Sequence, residues 1–298
     1  MCLEKRSRLM KYCYINEENF QYFKPLLQED QQNRMMSDPS IFGLGCYDKD
    51  TACGIIMYTI DEEIMTLRIL YVAVSLSYQG KGVATDMIRS LADNAYEQGY
   101  ITLANFFAKD SNDPRYAMFD NTDEFTIEQM PGGVYSMSSD KLKEVVYKIP
   151  PVEYDKKTSG IRTTISNSPG QTKNQIYEAL KASGLDMAQM KPFIDEDLSY
   201  AVIGKEGTPT GMVVISHYAE QHFYELSYIT AVERDTIADL YNILVYAVSD
   251  TSDRMGSQDV LRFSTAVESV DRLAQKYFSE DLKTERFYRA GYDGETVG

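Results

Sequence analysis

The stretch from Ile69 to Thr85 reads ILYVAVSLSYQGKGVAT, and its hydrophobic period changes partway along. Up to Val74 it is an apolar, β-branched run of strand length, whereas from Val83 onward the apolar residues recur at helical spacing. Gly80 and Gly82 lie between the two patterns and permit positive φ and a close backbone approach to a ligand. The first turn of the following helix offers unpaired N–H groups and the positive end of its dipole. The stretch therefore predicts a strand, a glycine loop and a helix that together bind a phosphate.

Several kinds of phosphate loop have this outline, and the residues separate them. A dinucleotide fingerprint requires a third glycine where Thr85 stands, and the spacing of a Walker loop is absent. The pattern Q/R-x-x-G-x-G/A does match, from Gln79 to Ala84. An ordinary glycine-containing turn between a strand and a helix is the remaining alternative. On this motif and its placement, roughly residues 10 to 140 resemble the GNAT acyltransferase superfamily.

The resemblance implies a fold and a cofactor. The implied fold class is α/β (α+β), with a mixed, mostly antiparallel twisted sheet flanked by helices. Family members bind the pyrophosphate of acetyl-CoA on the glycine loop, and a family asparagine that contacts the CoA arm falls on Asn112. The cofactor-binding residues expected here are Val72, Ala73, Val74, Gln79, Gly80, Lys81, Gly82, Val83, Ala84, Thr85 and Asn112.

The second half of the chain predicts the same order of elements as the first. Strand and helix patterns follow one another from Thr172 to Ala290, after the interruption at Pro150-Pro151. We therefore predict an acetyl-CoA-binding domain at 1–150 and a degenerate GNAT-like domain at 151–298. The segment from Glu233 to Ile237 replaces the glycine loop and contains no glycine, so the second copy is expected to bind no pyrophosphate. An unrelated α/β domain is the alternative.

The catalytic positions depart from the family pattern. Arg68 stands where many members carry a glutamate base, and Phe119 replaces the usual tyrosine acid. Tyr116, one helical turn before Phe119, is the residue predicted to supply the acid. The carboxylates from Asp61 to Glu63 are candidates for a base acting through water. The expected activity is acetyl transfer to a primary amine, in a ternary complex; the alternative is a non-catalytic acyl-CoA-binding or scaffolding protein.

Composition limits the partners. The 298 residues carry a formal net charge of −15, which argues against binding to nucleic acid. No apolar run approaches a membrane span, and the first residues lack the apolar core of a signal peptide, so we expect a cytoplasmic protein without membrane partners. Four cysteines and two histidines show no metal-ligand spacing. A small-molecule or protein amine is the expected acceptor, and a homodimer is possible. Arg115 and Lys109 are candidates to contact the 3′-phosphate of the cofactor.

Overall fold

A computed structural model describes residues 10–122, 124–148, 160–183, 185, 187–231, 237–266, 268–277 and 282–292. The chain divides into two compact units. Unit 1 comprises Met1–Met130 and Glu285–Gly298, and unit 2 comprises Pro131–Thr284.

Unit 1 contains a sheet with helices on both of its faces. Its elements in chain order are β1 (Met10–Tyr14), α1 (Phe20–Phe23), α2 (Glu29–Ser37), β2 (Ile41–Asp48), β3 (Thr51–Asp61), β4 (Thr66–Val74), α3 (Val83–Glu97), β5 (Ile101–Ala108), α4 (Pro114–Asp120), the first residues of β6 (Thr126–Ser138) and most of β12 (Lys283–Tyr292). The strands pair in the order β1, β2, β3, β4, β5, β12. All of these pairs are antiparallel except the parallel pair of β4 and β5, which α3 connects.

The two faces of this sheet have separate cores. Ile56, Leu67 and Ile69 pack with buried residues of α3, and we call this side the α3 face. Ile55 and Met57 pack with Phe23 of α1 on the other side, the α1 face. Successive strand residues point to opposite faces, which explains why neighbours such as Ile55 and Ile56 enter different cores.

The packing of α3 and α1 on this sheet depends on one buried stripe and on two glycines. On α3 one stripe is buried, namely Val83, Met87, Ile88, Leu91, Ala92 and Ala95. A Cβ at Gly54 would lie 2.5 Å from Sδ of Met87, so a larger residue there would require the Met87 side chain to move. A Cβ at Gly45 would lie 2.3 Å from the ring of Phe23, so glycine is required there for α1 to pack on β2.

Unit 2 repeats this arrangement. Its elements are the remainder of β6, α5 (Ser139–Lys148), β7 (Ile161–Thr164), α6 (Gly170–Ala182), α7 (Met187–Met190), β8 (Tyr200–Ile203), β9 (Pro209–Tyr218), β10 (Phe223–Ala231), α8 (Ile237–Arg254), β11 (Val260–Thr265) and α9 (Glu268–Tyr277). The order β7, β8, β9, β10, β11, β6 again has one parallel pair, β10 with β11, connected by α8. The predicted repeat of the fold is confirmed. Most of the segment 233–237, which we predict to replace the glycine loop, lies outside the described residues.

Each unit takes its last strand from a part of the chain that follows the other unit's elements. In unit 1, Arg286–Tyr292 of β12 pair antiparallel with β5. In unit 2, Gly133–Ser138 of β6 pair antiparallel with β11. The units therefore divide between Met130 and Pro131 and between Thr284 and Glu285. These boundaries differ from the predicted division at residue 150, a residue that lies outside the described part of the chain. The prediction differs because strand periodicity does not reveal which sheet a strand joins.

The contribution of β12 to unit 1 can be tested at Ala290, which is fully buried in the core on the α3 face. We expect Ala290→Glu to lower the free energy of unfolding by about 3 kcal/mol or more, because it buries an unpaired carboxylate. Urea unfolding followed by circular dichroism measures the change. The matched control is Ala219→Glu at an exposed alanine, for which we expect a change within about 0.5 kcal/mol. Equal unfolding midpoints for the two variants would contradict this assignment of β12.

Candidate functional site

In unit 1, β4 and β5 part near the middle of the sheet. Their parallel pairing runs from Thr66 opposite Ile101 to Ile69 opposite Ala104, and β4 then continues to Val74 bonded to β3 alone. A β-bulge lies at this point, because Met57 pairs with Tyr71 and Tyr58 pairs with Ile69, which leaves Leu70 without a partner on β3. Beyond Ile69 the edge of β4 that faces β5 therefore presents backbone donors and acceptors to a gap.

The bulge also decides which side chains face the gap on the α3 side. Ile69 lies on the α3 face, and without the extra residue Tyr71 would follow it there. Instead Tyr71 and Ala73 pack on the α1 face, while Val72 and Val74 lie on the α3 face. Burial raises the pKa of Tyr71, and the negative charge of Asp30 on α2 raises it further.

The glycine loop follows β4 and is held by its own side chains. Nε2 of Gln79 donates to the carbonyl oxygen of Val74 at 3.0 Å, and the hydroxyl of Tyr78 donates to Oδ2 of Asp48 at 3.1 Å. Nζ of Lys81 donates to the carbonyl oxygen of Ser77. The first bond fastens the loop to β4, the second fastens it to β2, and the third lies within the loop.

Helix α3 begins at the end of this loop without a side-chain cap. Gly80 and Gly82 have φ angles of 69° and 82°, in the left-handed region, and Gly82 is the N-cap residue. Among the residues that the structure describes, no side chain accepts a hydrogen bond from the first N–H groups of α3, although such groups normally find a partner. The helix therefore presents free donors and a positive dipole end, as an anion site requires.

A cavity of about 630 Å³ opens in front of these groups. It lies between the end of β4, the glycine loop, the first turn of α3 and one side of α4. Its lining residues are Val72, Val74, Tyr78, Gln79, Gly80, Gly82, Val83, Ala84, Thr85, Pro114, Arg115, Ala117, Met118 and Asn121. The lining contains no carboxylate and no imidazole, and Arg115 is its single charged side chain.

Arg115 is held by two carboxylates. Its Nη2 lies 2.7 Å from Oδ2 of Asp113, and its Nη1 lies 3.1 Å from Oε2 of Glu285 on β12. Hydrogen bonds from the Arg115 side chain hold the pKa of the Asp113 carboxyl well below its usual range. The same bonds raise the pKa of the guanidinium. Because its charge is already balanced, Arg115 is a weaker partner for a phosphate than the sequence suggested.

Most of the predicted cofactor residues line this cavity, and three do not. The side chain of Ala73 packs on the α1 face. Lys81 turns back to Ser77 and over the ring of Tyr78, 5.3 Å from its centroid. Asn112 is exposed and lines a neighbouring depression of about 510 Å³, together with Lys109 and Asp110.

Neither Phe119, at the family's acid position, nor Tyr116, the predicted acid, lines the cavity. Phe119 is 1% exposed and stacks on Phe106 in the core of the α3 face. The ring of Tyr116 lies edge-on to Tyr288, with ring centroids 5.1 Å apart, and is not part of the cavity lining. The structure thus does not bring the Tyr116 hydroxyl into the cavity.

Sequence reasoning missed the wall that α4 contributes. Pro114, Ala117, Met118 and Asn121 occupy one helical stripe, at positions i, i+3, i+4 and i+7. That spacing is visible in the sequence, but a stripe of this kind usually faces a core. Only the position of α4 beside the loop shows that it borders a cavity.

Neither a metal-binding cluster nor a membrane-spanning helix is found in the part of the chain that the structure describes. It holds no cluster of three or more histidine, cysteine, aspartate or glutamate side chains suited to a metal ion. None of its helices is both long and apolar enough to span a membrane. The ring of His217 stacks on Tyr224 with centroids 4.1 Å apart, and His222 contacts Asp259, so both histidines have packing partners.

Comparison with known proteins finds one family model that matches part of the first unit. Residues 9–121 match the model of the acetyltransferase (GNAT) family. A comparison with curated proteins found no match.

Solved structures extend the likeness to almost the whole chain. A tandem GNAT protein from the clavulanic acid biosynthesis pathway has a TM-score of 0.56 at 10% identity, over 95% of this chain and 98% of that one. A probable N-acyltransferase from Enterococcus faecalis gives 0.52 at 12% identity, over 95% and 71%. A GCN5-related N-acetyltransferase from Sphaerobacter thermophilus gives 0.50 at 12% identity, over 95% of both. At these identities the likeness concerns the fold, which is a GNAT fold in tandem.

The loop can be tested at Gly82. We expect Gly82→Asp to abolish detectable acetyl-CoA binding, because it strains a left-handed position and places a carboxylate against the anion site. Isothermal calorimetry measures the affinity. The matched control is Gly207→Asp in unit 2, where φ is 78° and a Cβ meets nothing within 4 Å; at Gly82 a Cβ meets only Oδ2 of Asp86, at 4.0 Å. Unchanged affinity in Gly82→Asp would overturn the site.

The Asp113 and Arg115 contact predicts a pH dependence of stability. The pKa of Asp113 is lower in the folded protein than the value of about 3.9 in an unfolded chain, so its carboxylate stabilises the fold above about pH 4. That contribution is lost as the pH falls further. We expect Asp113→Asn, which retains an N-cap side chain, to cost about 1–2 kcal/mol at pH 7 after allowance for the exposure of Arg115. Urea unfolding at pH 7 and pH 3 should show the difference shrinking at the lower pH; a constant difference would contradict it.

Proposed function

Since residues 9–121 are a domain of the acetyltransferase (GNAT) family, we propose that this chain transfers the acetyl group of acetyl-CoA to a primary amine. The observation that carries the proposal is the uncapped N-terminus of α3 at the mouth of the cavity, beside the gap between β4 and β5. The helix N-terminus suits the anionic pyrophosphate of a CoA molecule, and the gap suits its extended arm.

Acetyl-CoA fits the residues present. The backbone N–H groups from Gly80 to Thr85 would hold the pyrophosphate. Gly80 has no side chain that could block its approach. The apolar side chains of Val72 and Val74 would border the arm, whose amides find backbone partners on the open edge of β4. Since Arg115 is balanced by Asp113 and Glu285, recognition would depend on backbone donors more than on side-chain cations.

The chemistry requires a neutral amine near a polarised carbonyl. Acetyl-CoA supplies an activated acyl group, and a backbone N–H of β4 beyond Leu70 would stabilise the charge that develops on the thioester oxygen. An alkylammonium with a pKa of about 10.4 is neutral in only about one molecule in 2,500 at pH 7, so deprotonation costs roughly 4.6 kcal/mol. With no carboxylate or imidazole among the lining residues, the proton would leave through water. Direct attack in a ternary complex needs no covalent intermediate on the protein.

A second function has a specific observation in its favour. Arg68, which is protonated at neutral pH, occupies the family's base position, and the cavity lining contains no carboxylate or imidazole that could act as a base. A protein that binds acyl-CoA without turning it over would retain the loop and lose these groups. The two proposals share the cofactor site and differ in whether free thiol appears.

The pH dependence of turnover tests this mechanism. Free CoA thiol is followed with saturating acetyl-CoA and a panel of primary amines. We expect kcat/KM for the amine to rise about tenfold per pH unit up to the pKa of the amine itself, because only the neutral amine reacts and no protein base takes its proton. A plateau that begins near pH 7 would show that a protein group acts as the base. Tight CoA binding with no thiol release from any amine would establish the non-catalytic alternative.

A further inference from the structure

The α1 face of unit 1 carries two arginines beside the gap between β4 and β5. Arg68 lies on β4, opposite Leu103 of β5, one residue before the last pair of the two strands. Arg289 lies on β12, opposite Asn105, the first residue of β5 beyond that pair. The cavity described above lies on the opposite, α3 face, where Val72 and Val74 line it.

Strand register places both side chains on the same face. Cross-strand partners share a face, and residues two apart on a strand share a face. Leu103 pairs with Arg68 on one side and with Gly291 on the other, and Gly291 lies two residues from Arg289. Ala104 and Ala290, the residues between, are buried in the core of the α3 face. The two arginines therefore both project on the α1 side.

The two positions are close enough to contact one ligand. Strand spacings of about 4.8 Å and a rise of about 3.4 Å per residue separate their Cα atoms by roughly 12 Å. Leu103 and Asn105 of β5 lie between the two arginines on this face. Beside Leu103, Gly291 of β12 contributes no side chain, and a Cβ added there would meet only Cδ2 of Leu103, at 3.4 Å. Nε of Arg289 reaches Oδ1 of Asn105 at 3.5 Å, a weak contact that a stronger acceptor would displace.

Within the described part of the chain, neither guanidinium has a carboxylate at ion-pair distance. Five other arginines in the same part do, namely Arg89, Arg115, Arg162, Arg254 and Arg272, whereas Arg34, Arg262 and Arg286 do not. What distinguishes Arg68 and Arg289 is their position beside the gap. Both Arg68 and Arg289 are partly buried, in a protein whose net charge is −15. Two unbalanced cations at the opening of the gap, in so acidic a chain, indicate a ligand that brings its own negative charge.

We infer that the acceptor is a primary amine that also carries an anionic group, a carboxylate or a phosphate, bound by Arg68 and Arg289. This inference rests on the proposed function and names the class of acceptor. The anion lies on the α1 face between the arginines, and the amine lies at the bulge, where it meets the thioester through the gap. Asp30, whose negative charge reaches Tyr71 beside the bulge, is on the side where the ammonium arrives.

Position 68 thus has a purpose other than the lost base. A guanidinium there binds the anionic end of the acceptor. The bonds in the reaction are those of amide formation. One ammonium proton passes to water, the neutral amine nitrogen forms a bond to the acetyl carbon, and the carbon–sulfur bond breaks. The second proton that the nitrogen loses passes, directly or through water, to the leaving thiolate, so CoA departs as the free thiol.

The experiment compares matched pairs of acceptors that differ only in the anion. For the carboxylate arm we use β-alanine and other amino acids with their amides, and for the phosphate arm O-phosphoethanolamine with ethanolamine. Thiol release at saturating acetyl-CoA gives kcat and KM for each amine. We expect the anionic member of at least one arm to have a kcat/KM about tenfold or more above its neutral partner.

Variants locate the effect. Arg68→Gln and Arg289→Gln should each raise the acceptor KM and remove the preference for the anion, with the KM for acetyl-CoA unchanged. The matched control is Arg286→Gln, on the same strand but opposite Ala108 and so on the α3 face, which should retain the preference. A preference that survives in both Arg68→Gln and Arg289→Gln would overturn the inference.

Failure of this inference differs from failure of the proposed function. Turnover of neutral amines equal to or better than that of the anionic ones in both arms would reject the anionic acceptor while retaining the acetyltransferase. If no amine is turned over, titration of the same anionic amines into the CoA-saturated protein by calorimetry decides the matter. Binding that is lost in Arg68→Gln supports the arginine site, and absence of binding to the unsubstituted protein rejects it.

Discussion

The end of the hydrogen-bond ladder between β4 and β5 is the constraint on which the site depends. A strand in the middle of a sheet normally satisfies its backbone groups on both edges. Here the pairing stops at Ile69 and Ala104, while β4 continues to Val74. The open edge requires a partner that can accept and donate hydrogen bonds along an extended line. A ligand arm of amide character supplies one, and the uncapped helix α3 lies where the line ends.

The bulge at Leu70 connects this gap to both faces of the sheet. One extra residue shifts the alternation, so that Val72 and Val74 border the cavity and Tyr71 faces α1. The two faces then differ in charge. On the α3 face the one cation of the cavity is balanced by carboxylates, whereas on the α1 face Arg68 and Arg289 have no such partners among the described residues. Under the proposed function, backbone donors on one side would bind the cofactor and side-chain cations on the other would bind the acceptor.

The C-terminal strand gives the site a further dependence. Residues 286–292 complete the sheet of unit 1, and Glu285 holds Arg115 from a distance of 170 positions along the chain. Pairings across such sequence separations close long loops and form slowly. Strand β12 must therefore be in place for three features: the sheet is complete, Glu285 holds Arg115 on α4, and Arg289 lies on the α1 face.

Much of unit 1 could be predicted from the sequence, because the signals are local. The change of period at Gly80 and Gly82, the apolar stripe of α3 and the motif from Gln79 to Ala84 each depend on residues close together in the chain. They predict a strand, a left-handed glycine loop and a helix, which the structure contains, in an arrangement suited to a phosphate. The tertiary structure decided the rest: the sheet that β12 joins, the neutralisation of Arg115 and the packing of Tyr116 on Tyr288. Backbone preference and hydrophobic period are properties of neighbours, whereas the charge of a site and the direction of a side chain depend on partners that only the folded chain brings together.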